Sequence, residues 1–305
     1  LRARLNDQQT VEMAKEAARL EELSGLPNSP EALALLPQLK VSDLPACPRH
    51  IPTTVETIGR NGTLLVNDVF SNGVNYLYLD FDLDGLPRRL WPFIPRYCEA
   101  IQKMGAAGMN YEQIARRAAA STGSIHCEPY FTTHATDPSQ PVRGLRLILK
   151  TLDDRLGDAL SLLEDLLFGL DPKDARRLRE VMVQSRAHYR THLVQSGHVT
   201  AALHAARGLN PHGYLNELTG GLPQLEQVEK LAGGFESENA GLMDAIEAVR
   251  DFLLARDGLI ASFTGSDRSL ESVRKTLADW NARLRGETVP GDVTAGYIPY
   301  AAPPR

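Results

Sequence analysis

The chain is predicted to fold as an α+β domain, a mostly antiparallel sheet with a helical layer on one face, behind a helical arm. Three observations predict it. From residue 53 to 83 the apolar residues recur with a period of two, as in half-buried strands. Beyond residue 154 the period is almost wholly helical. One strand-like run, GLIASFTG (258–265), then returns among the helices. Strands first, a helical layer next and one returning strand point to an α+β sandwich with a largely antiparallel sheet.

The elements follow in order. Residues 1–24 read as one charged helix whose stripe of Leu1, Leu5, Val11 or Met13, Ala17 or Ala18 and Leu20 is narrow, so it leans on something outside itself. GLPNSP ends it, and Ser29 with Pro30 opens a short turn of helix. The proline-spaced VSDLPACPRHIP (41–52) is an extended connector. TTVETIG and TLLVNDV form a hairpin whose Asn61-Gly62 pair is expected to supply positive φ. VNYLYLDFDL (74–83) buries Leu77, Leu79, Phe81 and Leu83 on one face. LPRRLWPFIPRYCEAIQKMG is a helix disturbed early by prolines, and Asn110 caps the next one. SIHCEPYFTTHA and VRGLRLILKTLD are two further strands. A helical stretch through 254, the returning strand and the helix RSLESVRKTLADWNARLRG complete the pattern.

Composition narrows the function. The 305 residues are 43% hydrophobic and 23% charged, ample for a core. A formal charge of -5 argues against a nucleic-acid surface, because phosphate binding needs clustered Lys and Arg. No apolar run approaches the ~20 residues that cross a bilayer. Cys47, Cys98 and Cys127 are too few and scattered for a disulfide framework or a paired-cysteine zinc knuckle, and read as free buried thiols in a reducing compartment. The chain begins at Leu1 without Met, so targeting is not readable; its Ala, Leu and Arg usage leans towards a bacterial cytoplasm.

Each chemical motif has a plain structural alternative. Asp80, Asp82, Asp84 and Gly85 imitate the opening of a calcium-binding EF-hand loop, but its twelfth position, which needs a bidentate Glu, holds Trp91. His126, Cys127 and Glu128 lack the P-C-x-x-C that would make a deaminase zinc site. The densest candidate is HYRTHLVQSGHVTAALHAARGLNPHGY (188–214). His188 and His192 share a helix face, yet no Glu stands between them to act as a base, and Arg186 and Arg190 would repel a dication. They read as surface or interhelical histidines, with Gly197 ending the long helix and His204 in the next.

The runs FSNGVNYLYLDFDLDGLP and LWPFIPRYCEAIQKMGAAGMNYEQIARRAAASTGSI resemble the third domain of presequence proteases, a branch of the pitrilysin/insulysin-type (inverzincin) zinc metallopeptidases. SGHVTAALHAARGLNPHGYLNELTGGLPQLEQVEKL is similar to that branch's segment centred on Ser-Gly-His and Gly-Tyr-Leu-x-Glu. FLLARDGLIASFTGSDRSLE resembles the domain's closing strand and helix, and SPEALALLPQLKVSDLP its connector.

That resemblance implies a half-domain of the mitochondrial-processing-peptidase type. Residues 1–50 would be the helical hairpin arm and connector, 51–288 a third metallopeptidase-like domain without a zinc site, and 289–305 a truncated linker toward a fourth domain. In the family, four such domains close as a clamshell around a chamber that degrades unfolded peptides. The zinc motif His-x-x-Glu-His lies in the first domain and does not occur in this chain. The resemblance therefore assigns no catalytic or metal residue here. Zn2+ would be bound by the N-terminal half of the same polypeptide, leaving this piece inactive alone as a chamber wall. Its partners would be that half, the fourth domain and unfolded peptides, with no nucleic acid and no membrane. The alternative is a stand-alone inactive module that binds peptide or a partner subunit. Ser196, Gly197, His198, Gly213 and Tyr214 are expected to be structural, with His198 hydrogen-bonding at the helix junction.

Overall fold

The computed structural model describes residues 6–47, 50–137 and 140–286. Expectations for residues 1–5 and for the linker at 289–305 lie outside these described residues. Contacts divide the chain between His50 and Ile51 into two units.

The first unit is built from local rules alone. Helix α1 (Asp7–Gly25) starts at a capping box, in which Gln9 N–H donates to Asn6 Oδ1 at 2.8 Å and Asn6 N–H to Gln9 Oε1 at 3.1 Å. Ser29 caps the short α2 (Pro30–Ala34) by accepting from Ala32 N–H. Neither helix buries a residue, and Leu35, Leu39 and Val41 are almost fully exposed.

The second unit carries the sheet. Its elements are β1 (Thr53–Ile58), β2 (Gly62–Asn67), β3 (Val74–Asp82), α3 (Ile94–Lys103), β4 (Gly105–Ala106), α4 (Tyr111–Ser121), β5 (Ser124–Thr133) and β6 (Pro141–Leu152). There follow α5 (Leu156–Gly169), β7 (Leu170–Asp171), α6 (Ala175–Gln195), α7 (Gly197–Ala206), α8 (Pro211–Gly220), α9 (Leu222–Gly233), α10 (Phe235–Ala255), β8 (Ile260–Thr264) and α11 (Asp267–Arg283). The large sheet has six strands in the order β1-β2-β8-β3-β6-β5. Its β2–β8 pair is parallel and its other pairs are antiparallel, as the alternation in the sequence predicts for most of the sheet. The last strand among the described residues thus lies inside the sheet, between β2 and β3.

One face is dry. Leu77, Leu79 and Phe81 of β3, Leu145, Leu147 and Leu149 of β6, and Ala261 and Phe263 of β8 are buried under the helices. Each large side chain contributes ~1.5–3 kcal/mol by leaving water. Leu83 is also buried, and Trp91 fills the core while its indole N–H donates to Leu86 O at 3.0 Å.

Two expectations are corrected. Positive φ in the β1–β2 turn belongs to Gly59 at 61°, not to Asn61 or Gly62. Gly62 is already a strand residue paired with Ile58, and a Cβ at Gly59 would fall 2.2 Å from Asn281 Nδ2, so glycine is needed earlier in the turn. The prolines do more than disturb the first turns of the following helix: Arg88–Phe93 is a separate 3-10 segment containing Pro92, and α3 begins after it.

Candidate functional site: the open face of the sheet

Strand register decides which side chains share the other face. Asp80 pairs with Arg146, Tyr78 with Ile148, Tyr76 with Lys150, Glu128 with Arg146 and Tyr130 with Gly144. Across β8 and β2 the same face carries Ile260, Ser262 and Thr264, then Thr63, Leu65 and Asn67, and finally Thr53, Val55 and Thr57. Apart from the buried Gly144 these residues are half-buried to exposed, with Val55 68% and Ile260 44% accessible. Among the described residues of this unit, no helical layer of the kind that dries the opposite face covers them.

At the centre lies an Arg146 cluster. Its Nε donates to Asp80 Oδ1 at 2.6 Å and its Nη2 to Asp80 Oδ2 at 2.8 Å, a fork on a carboxylate. The same guanidinium sits 4.7 Å from the ring centre of Tyr130 and 5.6 Å from that of Tyr78. The hydrogen bonds to Asp80 push the Arg146 pKa up, fixing its charge, while burial and then the Asp80 charge raise the Tyr130 hydroxyl. Lys150 Nζ lies 5.4 Å over the Tyr76 ring, and His126 Nε2 is 3.2 Å from Glu128 Oε2. The face thus offers aromatic surface, hydroxyls and charges of both signs, with Lys150 set over a ring rather than on a carboxylate.

The acidic run belongs to this end of the sheet. Asp80 holds Arg146, Asp82 holds Arg256 at 2.5 Å, and Asp84 holds Arg143 at 2.7 Å. Each aspartate has its own arginine, an arrangement opposite to a calcium loop, in which carboxylates converge on one cation. Cys127 of the H-x-E run is buried on the dry face while His126 and Glu128 stand on the open one, so the three do not converge.

The histidine-rich stretch shows no metal geometry. His188 and His192 are exposed, with stacked rings 6.3 Å apart, and neighbouring Arg190 forks onto Glu229 at 2.8–2.9 Å. Among the described residues no group of three or more His, Cys, Asp or Glu is placed to hold a metal ion.

Ser196 joins α6 to α7, its N–H donating to His192 O at 2.7 Å, and α7 starts at Gly197. His198 is exposed in the first turn of α7, and the junction is held by backbone hydrogen bonds rather than by its ring. Gly213 lets α8 approach α7: a Cβ there would lie 2.3 Å from Ala206 O. Tyr214 packs against the core.

Two buried polar groups escaped the sequence reading. His204 Nδ1 meets Glu217 Oε1 at 2.8 Å, tying α7 to α8 through a carboxylate only 4% exposed. Arg96 is fully buried, with its Nη1 3.1 Å from Glu99 Oε2, its Nη2 3.4 Å from both the Tyr189 hydroxyl and Gln224 Oε1, and Ser185 Oγ donating to Glu99 at 2.6 Å. Burial raises the Tyr189 hydroxyl against the pull of Arg96. The only sequence signal was an arginine inside an otherwise apolar helical face of α3. Cys47 is exposed, against the expectation of three buried thiols, because it sits in the connector rather than in the core.

Comparison with known proteins agrees with this fold. The family described as peptidase M16, subfamily C, associated matches residues 1–231. Presequence protease 1, chloroplastic/mitochondrial, of Arabidopsis thaliana is 30% identical over 279 residues, covering 91% of this chain and 26% of that protein. The chain therefore spans about a quarter of the length of the curated relatives it matches. Among solved structures, a conserved protein from Enterococcus faecalis superposes with TM-score 0.56 at 10% identity, covering 83% of this chain and 56% of that one. A peptidase M16 inactive domain from Pseudomonas fluorescens gives TM-score 0.52 at 14% identity, covering 79% and 53%. At such identities the two structures establish a shared fold.

Proposed function

The chain belongs to the family of peptidase M16, subfamily C, associated domains, and from that premise we propose that it is a non-catalytic segment of the C-terminal half of a presequence-protease-like zinc metalloendopeptidase. The observation that carries this reading is the 30% identity to a presequence protease along 91% of the chain. Residues 1–50 serve as the helical arm and connector, 51–288 as the third domain, and 289–305 as the linker to a fourth. The N-terminal half of the same polypeptide holds the zinc and the catalytic groups.

The role of this segment is to wall a chamber for unfolded peptides, with the open sheet face as its inner surface. The chemistry of the face supports that role. Tyr76, Tyr78 and Tyr130 present flat apolar surface with polar tips, which suits many side chains equally. Arg146 is paired with Asp80 and His126 lies beside Glu128, while Lys150 sits over the Tyr76 ring, so charges of both signs share the face. A surface for unfolded chains of mixed sequence needs that breadth.

Supplying the N-terminal half and the remaining C-terminal region alongside this chain tests the proposal through cleavage of a fluorogenic unfolded peptide. The expected result is a gain over the mixture lacking this chain. No gain, together with direct peptide binding by this chain alone, would instead favour a stand-alone peptide-binding module.

A further inference from the structure

The fold brings together two thiols that the sequence separates by 29 positions. Cys98 on α3 and Cys127 on β5 lie with their sulfurs 3.4 Å apart, Cys127 donating its S–H to Cys98. Both are reduced and buried, at 5% and 3% exposure, at the seam where the helical layer meets the dry face of the sheet. Cys127 stands opposite Leu147 in the β5–β6 register, so its side chain points at α3 and away from the open face. A disulfide needs the sulfurs at ~2.05 Å, so the pair closes with an approach of a little over ~1 Å.

We infer that Cys98 and Cys127 form a modification site, a latent dithiol that a hydroperoxide or other two-electron oxidant closes into an intrachain disulfide joining α3 to β5. With a hydroperoxide, one cysteine loses its proton and its sulfur attacks the peroxide oxygen. The O–O bond breaks, and that sulfur becomes a sulfenic acid as water or alcohol leaves. The second sulfur attacks the sulfenic sulfur, the S–O bond breaks, and the second thiol's proton departs with the oxygen as water. Two electrons pass from the sulfur pair to the peroxide, which balances the step.

Access sets the rate. Burial holds the Cys127 thiol well above its ordinary range, reinforced by its contact with Cys98, so the closed seam keeps it unreactive. Oxidation therefore waits on a local opening of α3 from β5, and the disulfide records that this seam has opened. Once formed, it fastens together two elements otherwise held by side-chain packing. This inference does not depend on the proposed function.

The test uses the whole chain carrying Cys47→Ser, which removes the exposed thiol and leaves Cys98 and Cys127 as the only cysteines. Hydrogen peroxide or diamide is applied with and without sub-denaturing urea, followed by quenching, unfolding, thiol titration and peptide mapping. The expected result is loss of both thiols together, a Cys98–Cys127 linked peptide and faster reaction in urea. Recovery of two free thiols after oxidation in urea would overturn the inference, as would independent conversion of each to sulfinic acid. Cys98→Ser and Cys127→Ser, made separately in the same background, must each leave the remaining thiol unlinked. Should one of them fail to fold, the other and the linked-peptide map still decide.

Discussion

Tyr130 lies across Gly144 on the open face, its ring occupying the space that a Cβ on Gly144 would need, at 2.3 Å. The missing side chain lets the tyrosine lie flat and meet the Arg146 guanidinium at 4.7 Å. Gly144→Ala should push the ring off this position and lower stability by ~1–3 kcal/mol. Urea unfolding should show a lower midpoint with an unchanged slope; an unchanged midpoint would mean that the ring moves freely.

Removing the partner of Arg146 should matter less than burial of the pair suggests, because the arginine side chain is 35% exposed. Asp80→Ala should cost ~1–2 kcal/mol after allowance for solvent screening. A double-mutant cycle with Arg146→Ala should return a coupling energy of the same sign, and a coupling of zero would deny the fork any stabilising role.

The Arg96 cluster is the costliest to break. Arg96→Ala leaves Glu99 with its Ser185 hydrogen bond but no cation, and opens a hole among α3, α6 and α9. A loss of ~3–5 kcal/mol is expected in thermal or urea unfolding. Arg96→Met, which refills the volume, should recover part of it.

Acid should loosen the joint between β3 and α11. The Asp153 carboxylate accepts from Asn75, Ser266 and Ser269, and these bonds, that from Ser269 foremost, hold its pKa below the ordinary 3.8. A depressed carboxylate contributes stability above its unfolded value and loses it as pH falls through the folded one. The melting temperature of the protein should therefore drop more steeply below pH ~4 than that of Asp153→Asn. Parallel curves would refute this assignment.

At the α6–α7–α8 junction two substitutions should separate. Gly213→Ala forces a methyl against Ala206 O and should cost ~1–3 kcal/mol. His198→Ala should stay within ~0.5 kcal/mol, because the ring is exposed and the backbone holds the turn. Comparable losses from both would return the junction to His198.

Much of the fold was legible because strands and helices write their periods directly. Alternation at Leu77, Leu79 and Phe81 gives the dry face of β3, and Asn110 marks the start of α4 through a capping box. What stayed hidden depends on pairing between distant segments. Nothing local in GLIASFTG says that it lies between β2 and β3, parallel to one and antiparallel to the other. The Arg146 cluster draws on four side chains from three strands, so no spacing rule reveals it. The carboxylate of Glu217 gives no hint of its burial, because its partner arrives from α7. The histidines had the opposite failing: a dense run in sequence yields an exposed stacked pair, His188 and His192, while His204 turns to Glu217.

The position of β8 has a further consequence, for the order in which the chain is made. Synthesis runs from the N-terminus, and residues 260–264 emerge after every other strand of the sheet. Until then the strand order leaves a place one strand wide between β1–β2 and β3–β6–β5. A chain halted before residue 260 lacks the strand that pairs with the facing edges of β2 and β3, each a row of backbone groups. The facing edges of β2 and β3 are therefore open to mispairing until β8 emerges, and a single late strand ends that exposure.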